Sequence, residues 1–138
     1  MPDKIDVTMA EAEFARFAET WDLDVDASTM RDEDADNMES IKRRMLRHIA
    51  RGTLRVEDDG TLEFDLAYPK MESLATLRFS VPGGDALLKW DRFKDQQSVH
   101  KINEFIGAMT GQPAAVFGKM DVRDLKVCQA VARLFLDS

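Results

Sequence analysis

The fold is decided by residues 54–66, which read LRVEDDGTLEFDL. Apolar and polar side chains alternate on both sides of EDDG, and a period of two is typical of a strand with one buried face. Gly60 can adopt a positive φ, so residues 57–60 are suited to a hairpin turn. A third alternating run covers residues 76–81. The sequence therefore predicts a three-stranded antiparallel meander.

The sequence after residues 82–85 (PGGD) has helical spacing throughout. Apolar side chains recur at intervals of three and four in residues 86–95 and 98–110, and whether these form one helix or two is left open. A short helix is predicted from Pro113 to about Lys119, and a final helix from Asp121. These helices would cover the apolar face of the sheet, which makes the predicted fold class α+β.

The N-terminal region is predicted to be a helix followed by a linker. Thr8 and Glu11 have the spacing of a capping box, so a helix should run from there to about Thr20. Residues 22–37 are acidic and have no apolar period, which is typical of a mobile linker. A second helix should begin near Asp36 or Asn37 and end at Gly52. This gives two parts: residues 1–36, the N-terminal helix and acidic linker, and residues 37–138, the α+β domain.

Composition favours one globular core in a reducing compartment. The chain has 138 residues, enough for a core that needs neither disulfides nor metal. Cys128 has no second cysteine to pair with. No apolar run approaches the roughly 20 residues that span a bilayer. We therefore expect a cytoplasmic protein that does not contact a membrane.

The net charge of −7 conceals a segregation of charge along the chain. Residues 1–40 contain 13 acidic and 3 basic side chains, whereas residues 41–55 contain 6 basic and none acidic. The basic stretch could contact phosphates, and the C-terminal helices could resemble a helix-turn-helix. The acids just upstream are expected to neutralise it, so no nucleic-acid partner is predicted.

The sequence contains little that matches known catalytic or cofactor-binding motifs. We therefore predict a protein that is not an enzyme and needs no cofactor. Neither His48 nor His100 stands in a known spacing to a nucleophile, and no phosphate loop or nucleophile elbow is present. Calcium binding is a more specific alternative for the acidic segment. Four acids fall at positions 1, 3, 5 and 12 of a calcium-binding loop: Asp22, Asp24, Asp26 and Glu33. Position 6, normally Gly, is Ala27. A solvated linker is therefore the preferred interpretation.

Residues 77–136 resemble the tail assembly chaperones of long-tailed bacteriophages. The features that carry the resemblance are RFSVP at residues 78–82, FIGAMTG at residues 105–111, the short segment 113–120, DVRDL at residues 121–125 and RLFL at residues 133–136. The resemblance implies a factor that binds the tape measure protein, keeps it soluble, and helps tail tube subunits assemble, in the host cytoplasm if the chain is phage-encoded. The alternatives are an acidic regulatory or adaptor domain acting on a nucleic-acid-binding partner, and, third, a calcium-responsive module.

A protein-binding factor needs apolar surface for its partner, and the first helix is the candidate for supplying it. The sheet and later helices can cover each other, which leaves the stripe of the first helix surplus. We expect this helix to dock reversibly over a groove or to engage a partner directly. The predicted partner-binding residues are Phe14, Phe17 and Trp21, together with Trp90 and Phe93 in residues 86–95. Whether the chain forms a homo-oligomer is left open.

Overall fold

A computed structural model describes residues 4–71, 74–86 and 98–137. The helices are α1 (Val7–Thr20), α2 (Asp32–Arg51), α3 (Ser98–Thr110), α4 (Ala115–Gly118) and α5 (Val122–Asp137), and the strands are β1 (Leu54–Val56), β2 (Leu62–Asp65) and β3 (Thr76–Phe79). The α+β prediction is confirmed. The predicted helix at residues 86–95, with Trp90 and Phe93, extends beyond the described residues. No helix among the described residues has the length and apolar character needed to cross a membrane.

The three strands form the predicted antiparallel meander in the order β1-β2-β3. Leu54 pairs with Phe64, and Phe64 pairs with Leu77, so their side chains share one face of the sheet. That face is buried, while the opposite face is a ladder of charges. There, Arg55 Nη1 lies 2.7 Å from Asp65 Oδ2, and its Nη2 lies 3.3 Å from Glu63 Oε2. The alternation in the sequence thus fixes which side chains reach the core.

Gly60 closes the hairpin as predicted, with a φ of 87°. An added Cβ would lie 2.8 Å from Thr20 Cγ2, because the end of α1 packs against this turn. The indole Nε1 of Trp21 donates a hydrogen bond to the carbonyl oxygen of Gly60. The turn therefore anchors the first helix to the sheet.

Both N-terminal helices begin at residues other than those predicted. Asp6 caps α1, since its Oδ1 accepts the Met9 N–H at 2.8 Å, so the capping box at Thr8 was the wrong prediction. Helix α2 begins at Asp32, inside the predicted linker. Its first turn is entirely acidic in residues 32–34, and negative charge there stabilises the helix dipole even without an apolar stripe. The end of α2 is as predicted, at Gly52 with a φ of 82°.

Helix α1 belongs to the hydrophobic core of the molecule. Phe17 and Trp21 are in contact, with ring centroids 4.6 Å apart, and Trp21 meets Phe135 of α5 edge-on at 5.9 Å. Phe135 in turn lies 6.0 Å from Phe105 of α3. This chain of rings joins the N-terminal helix to the C-terminal helices. The expectation that α1 lies outside the core was therefore wrong.

Candidate functional site: a basic cleft between α2 and α5

The C-terminal half of α2 carries its cations on one side. Arg44, Arg47 and Arg51 follow each other at intervals of three and four, which places them on neighbouring turns of one helix face. The buried stripe of the same helix faces elsewhere, with Ile41 and Met45 in the core. The arginine row therefore borders the protein surface.

Packing brings α5 and the loop after β2 against this row. Together they enclose a cleft of about 360 Å³. Its lining consists of Arg44, Arg47, His48, Arg51, Thr53, Ala67, Tyr68, Arg123, Asp124 and Lys126. Five of these ten residues are lysine or arginine and one is acidic, so the cleft is strongly basic on a chain whose net charge is −7.

The one carboxylate in the cleft has a structural task. Asp124 is 1% exposed, and its two oxygens accept the backbone N–H groups of Ala67 at 3.0 Å and of Tyr68 at 2.9 Å. Both oxygens are thus used to fasten the loop after β2 to α5. The sequence indicated Asp124 only as an acid in the first turn of a helix, so its role depends on a contact across 57 residues.

Arg123 forms the fixed wall of the cleft. Its guanidinium lies 3.3 Å from the centroid of the Tyr68 ring and forms two hydrogen bonds with Asp121, at 2.8 Å and 2.9 Å. These bonds hold the pKa of the Asp121 carboxyl well below its usual range. The charge of Arg123 is therefore already balanced.

His48 contributes an uncharged wall. Burial, and then the charges of Arg51, Arg47 and Arg44, lower the pKa of His48 to about 4, so the imidazole is neutral at pH 7. Its Nδ1 lies 3.1 Å from Thr53 Oγ1, and this hydroxyl lies 3.2 Å from the His48 carbonyl oxygen, to which it can donate.

The remaining cations of the cleft have no carboxylate counterion among the described residues. Within residues 4–71, 74–86 and 98–137, no carboxylate forms a salt bridge with Arg44, Arg47, Arg51 or Lys126. Lys42 does reach an upstream acid, with its Nζ 3.2 Å from Glu11 Oε2. The expected pairing of the basic stretch with upstream acids is thus seen at Lys42, and the absence of a nucleic-acid partner stays a prediction.

Geometry explains why the acids of α2 do not reach these arginines. The last acid of this helix, Glu39, and its first cleft arginine, Arg44, are five residues apart, which places them about 140° apart around the helix. The acids nearer the start of the helix are farther away along the axis, by about 1.5 Å for each residue. The structure therefore brings four cations that have no carboxylate partner among the described residues into one cleft.

The predicted partner-binding residues are not part of this site. Phe14, Phe17 and Trp21 are 2%, 1% and 8% exposed, so their side chains are core rather than free surface. The stripe of α1 is therefore packed into the core, and its part in binding a partner stays a prediction. Trp90 and Phe93 lie outside the described residues.

The acids with calcium-loop spacing take part in local turns. Asp24 Oδ1 accepts the Asp26 N–H at 3.2 Å, and Asp26 Oδ1 accepts from Ser28 at 3.0 Å. Glu33 lies in the first turn of α2. In the part of the chain that the structure describes, no group of three or more His, Cys, Asp or Glu side chains is arranged to hold a metal ion.

Comparisons of the chain with protein-family models, with curated proteins and with solved structures gave no match.

Proposed function

We propose that the chain is a non-enzymatic protein-binding factor that docks an acidic segment of its partner in the basic cleft. The observation that carries the proposal is the set of cleft cations without a counterion among the described residues: Arg44, Arg47, Arg51 and Lys126. Arginine is the side chain best suited to hold carboxylates, because its planar guanidinium can donate two hydrogen bonds in parallel.

Size and net charge favour a short acidic segment over a nucleic acid. A cleft of about 360 Å³ accepts a few side chains rather than a long polymer. An extended polyanion would also meet the exposed acids of residues 22–39 and the overall charge of −7. A peptide with a few carboxylates avoids that repulsion and still reaches the arginines.

The direct test uses a fluorescently labelled decaglutamate peptide and two matched charge reversals. Lys126 lines the cleft, whereas Lys119 is an exposed lysine outside it. At about 50 mM salt we expect saturable binding that Lys126→Glu weakens about tenfold, or about 1.4 kcal/mol, and that Lys119→Glu changes less than about twofold. Equal losses in both variants, or no saturation in the wild type, would contradict the cleft as the site. Tighter binding of duplex DNA than of the peptide would replace the proposal with a nucleic-acid interface.

The tail-assembly chaperones that residues 77–136 resemble make the tape measure protein the client to test first. We expect the tape measure protein encoded beside this chain to stay soluble when the two are co-expressed, and to precipitate with Lys126→Glu. The same genome should place the gene between those of a tail tube protein and of the tape measure protein. If the neighbouring genes are unrelated to tails, this client is withdrawn, while the peptide titration still decides the binding site.

A second candidate function uses the acidic surface. The side chains of Asp22, Asp24, Asp26, Asp32, Glu33, Asp34, Asp36 and Glu39 are all exposed, and none forms a salt bridge within the described residues. Such a strip suits an adaptor that occupies the basic surface of a nucleic-acid-binding partner. Competition between the chain and DNA for a basic partner, lost when Asp34 and Glu33 are replaced by Asn and Gln, would favour this function.

A further inference from the structure

The solvent face of α2 carries acidic residues in its first half and basic residues in its second half, so two antiparallel copies of this face have complementary charges. Asp32, Glu33 and Asp36 are exposed in its first half, and Arg43 and Arg47 are exposed in its second half. No basic residue precedes position 42 in the helix, and no acidic residue follows position 39. At 100° per residue, positions 33, 36, 40, 43 and 47 lie on one side of the helix.

The helix dipole explains only part of this pattern. Acids in the first turn and cations in the last turn stabilise any helix, but that effect falls off within one turn of each end. Asp36 and Arg43 lie in the middle turns of this 20-residue helix. The dipole therefore does not account for the placement of these two charges.

One molecule cannot bring Asp36 and Arg47 together, because they are separated by roughly 16 Å along the helix axis at about 1.5 Å per residue. Two antiparallel copies of α2 can. With a two-fold axis passing between residues 41 and 42, Asp36 of each copy faces Arg47 of the other, and Asp32 and Glu33 face Arg51. Ser40 faces Arg43, and the two Arg43 side chains lie about 4.5 Å apart along the axis on either side of the two-fold, so the complementarity is carried by residues 32, 36, 47 and 51.

We infer that a second copy of the chain docks on the solvent face of α2, with the two helices antiparallel about a two-fold axis. A two-fold interface is closed, so association stops at a dimer. Because the contacts are exposed ion pairs, the dimer is weak and sensitive to salt.

This inference goes beyond the proposed function and can be separated from it. Arg47 and Arg51 line the cleft as well as the α2 face, but Asp36 is absent from the cleft lining, and Lys126 lies on α5. Asp36→Arg should therefore abolish dimerisation and spare peptide binding. Lys126→Glu should weaken peptide binding and leave dimerisation unchanged.

The test is sedimentation equilibrium of the full chain at about 50 and 500 mM salt. We expect a dimer whose dissociation constant rises at least about tenfold at the higher salt. Asp36→Arg and Arg47→Asp should each yield monomers, and Glu104→Arg, the same type of charge change at an exposed position on α3, should leave the dimer unchanged.

Two further samples test directly whether the charges of the two copies complement each other. An equimolar mixture of the Asp36→Arg and Arg47→Asp variants should form heterodimers, and a chain that carries both substitutions should recover the homodimer. A wild type that is monomeric at about 50 mM salt and high concentration would overturn the inference. A dimer that tolerates Asp36→Arg, or a mixture that stays monomeric, would overturn it as well. Circular dichroism of each variant verifies that the helix content is unchanged.

Discussion

Replacing Phe17 by alanine should destabilise the whole protein, although Phe17 lies on a helix near the N-terminus. The side chain is 1% exposed, and its ring is 4.6 Å from the Trp21 ring and 6.5 Å from the Phe14 ring. Truncating a buried phenylalanine removes its transfer free energy and leaves a cavity, at a cost of about 3–5 kcal/mol. Because a domain of this size is stable by only about 5–15 kcal/mol, that loss is a large fraction of the total.

The assay is urea denaturation followed by circular dichroism and by tryptophan fluorescence. We expect the midpoint of Phe17→Ala to fall sharply with both probes together, and Val7→Ala, at a 70% exposed position of the same helix, to remain within about 0.5 kcal/mol of wild type. A loss below about 1 kcal/mol for Phe17→Ala would refute the conclusion that α1 is part of the cooperative core. The shared ring contacts lead us to expect that a chain lacking residues 1–36 no longer unfolds cooperatively.

Three other substitutions test the cleft and the hairpin. Asp124→Ala removes the acceptor of two backbone N–H groups and should lower the free energy of unfolding by about 2–4 kcal/mol, whereas Lys126→Ala should change it by less than about 0.5 kcal/mol in the same urea titration. The pKa of His48 is lowered from 6.5 to about 4, so the unfolded chain binds a proton first and stability is lost as the pH falls from 6.5 towards 4. The unfolding midpoint of His48→Gln should therefore fall less between pH 7 and pH 5 than that of wild type; an equal fall would contradict the assigned shift. Gly60→Ala forces a side chain into a φ of 87° and should cost about 1–2 kcal/mol in thermal unfolding, whereas Gly84→Ala, with open space around its Cα, should be neutral.

The sequence by itself determined the local elements and the faces that they bury. Alternation in residues 54–66 and 76–79 is a nearest-neighbour property of an extended chain, so the strands, their order and the turn at Gly60 could be predicted without a structure. The same holds for the apolar stripes of the helices, because spacing along a helix fixes which residues share a face. Helix starts were harder to predict, since Asp6 and Thr8 are both capable caps and Asp32 begins a helix that has no apolar period in its first turn.

Only the tertiary structure decided where α1 packs and which charges meet. An amphipathic helix has the same pattern whether its stripe covers its own core or a partner, so Phe17 could not be assigned to either before its contacts were known. The cleft combines Arg47 of α2 with Lys126 of α5, residues that are close only because two helices distant in sequence pack side by side. The charges of α2 show the same effect: Glu39 and Arg44 are close in sequence, but the helix turns them to different sides, whereas a flexible chain of the same composition would let them pair.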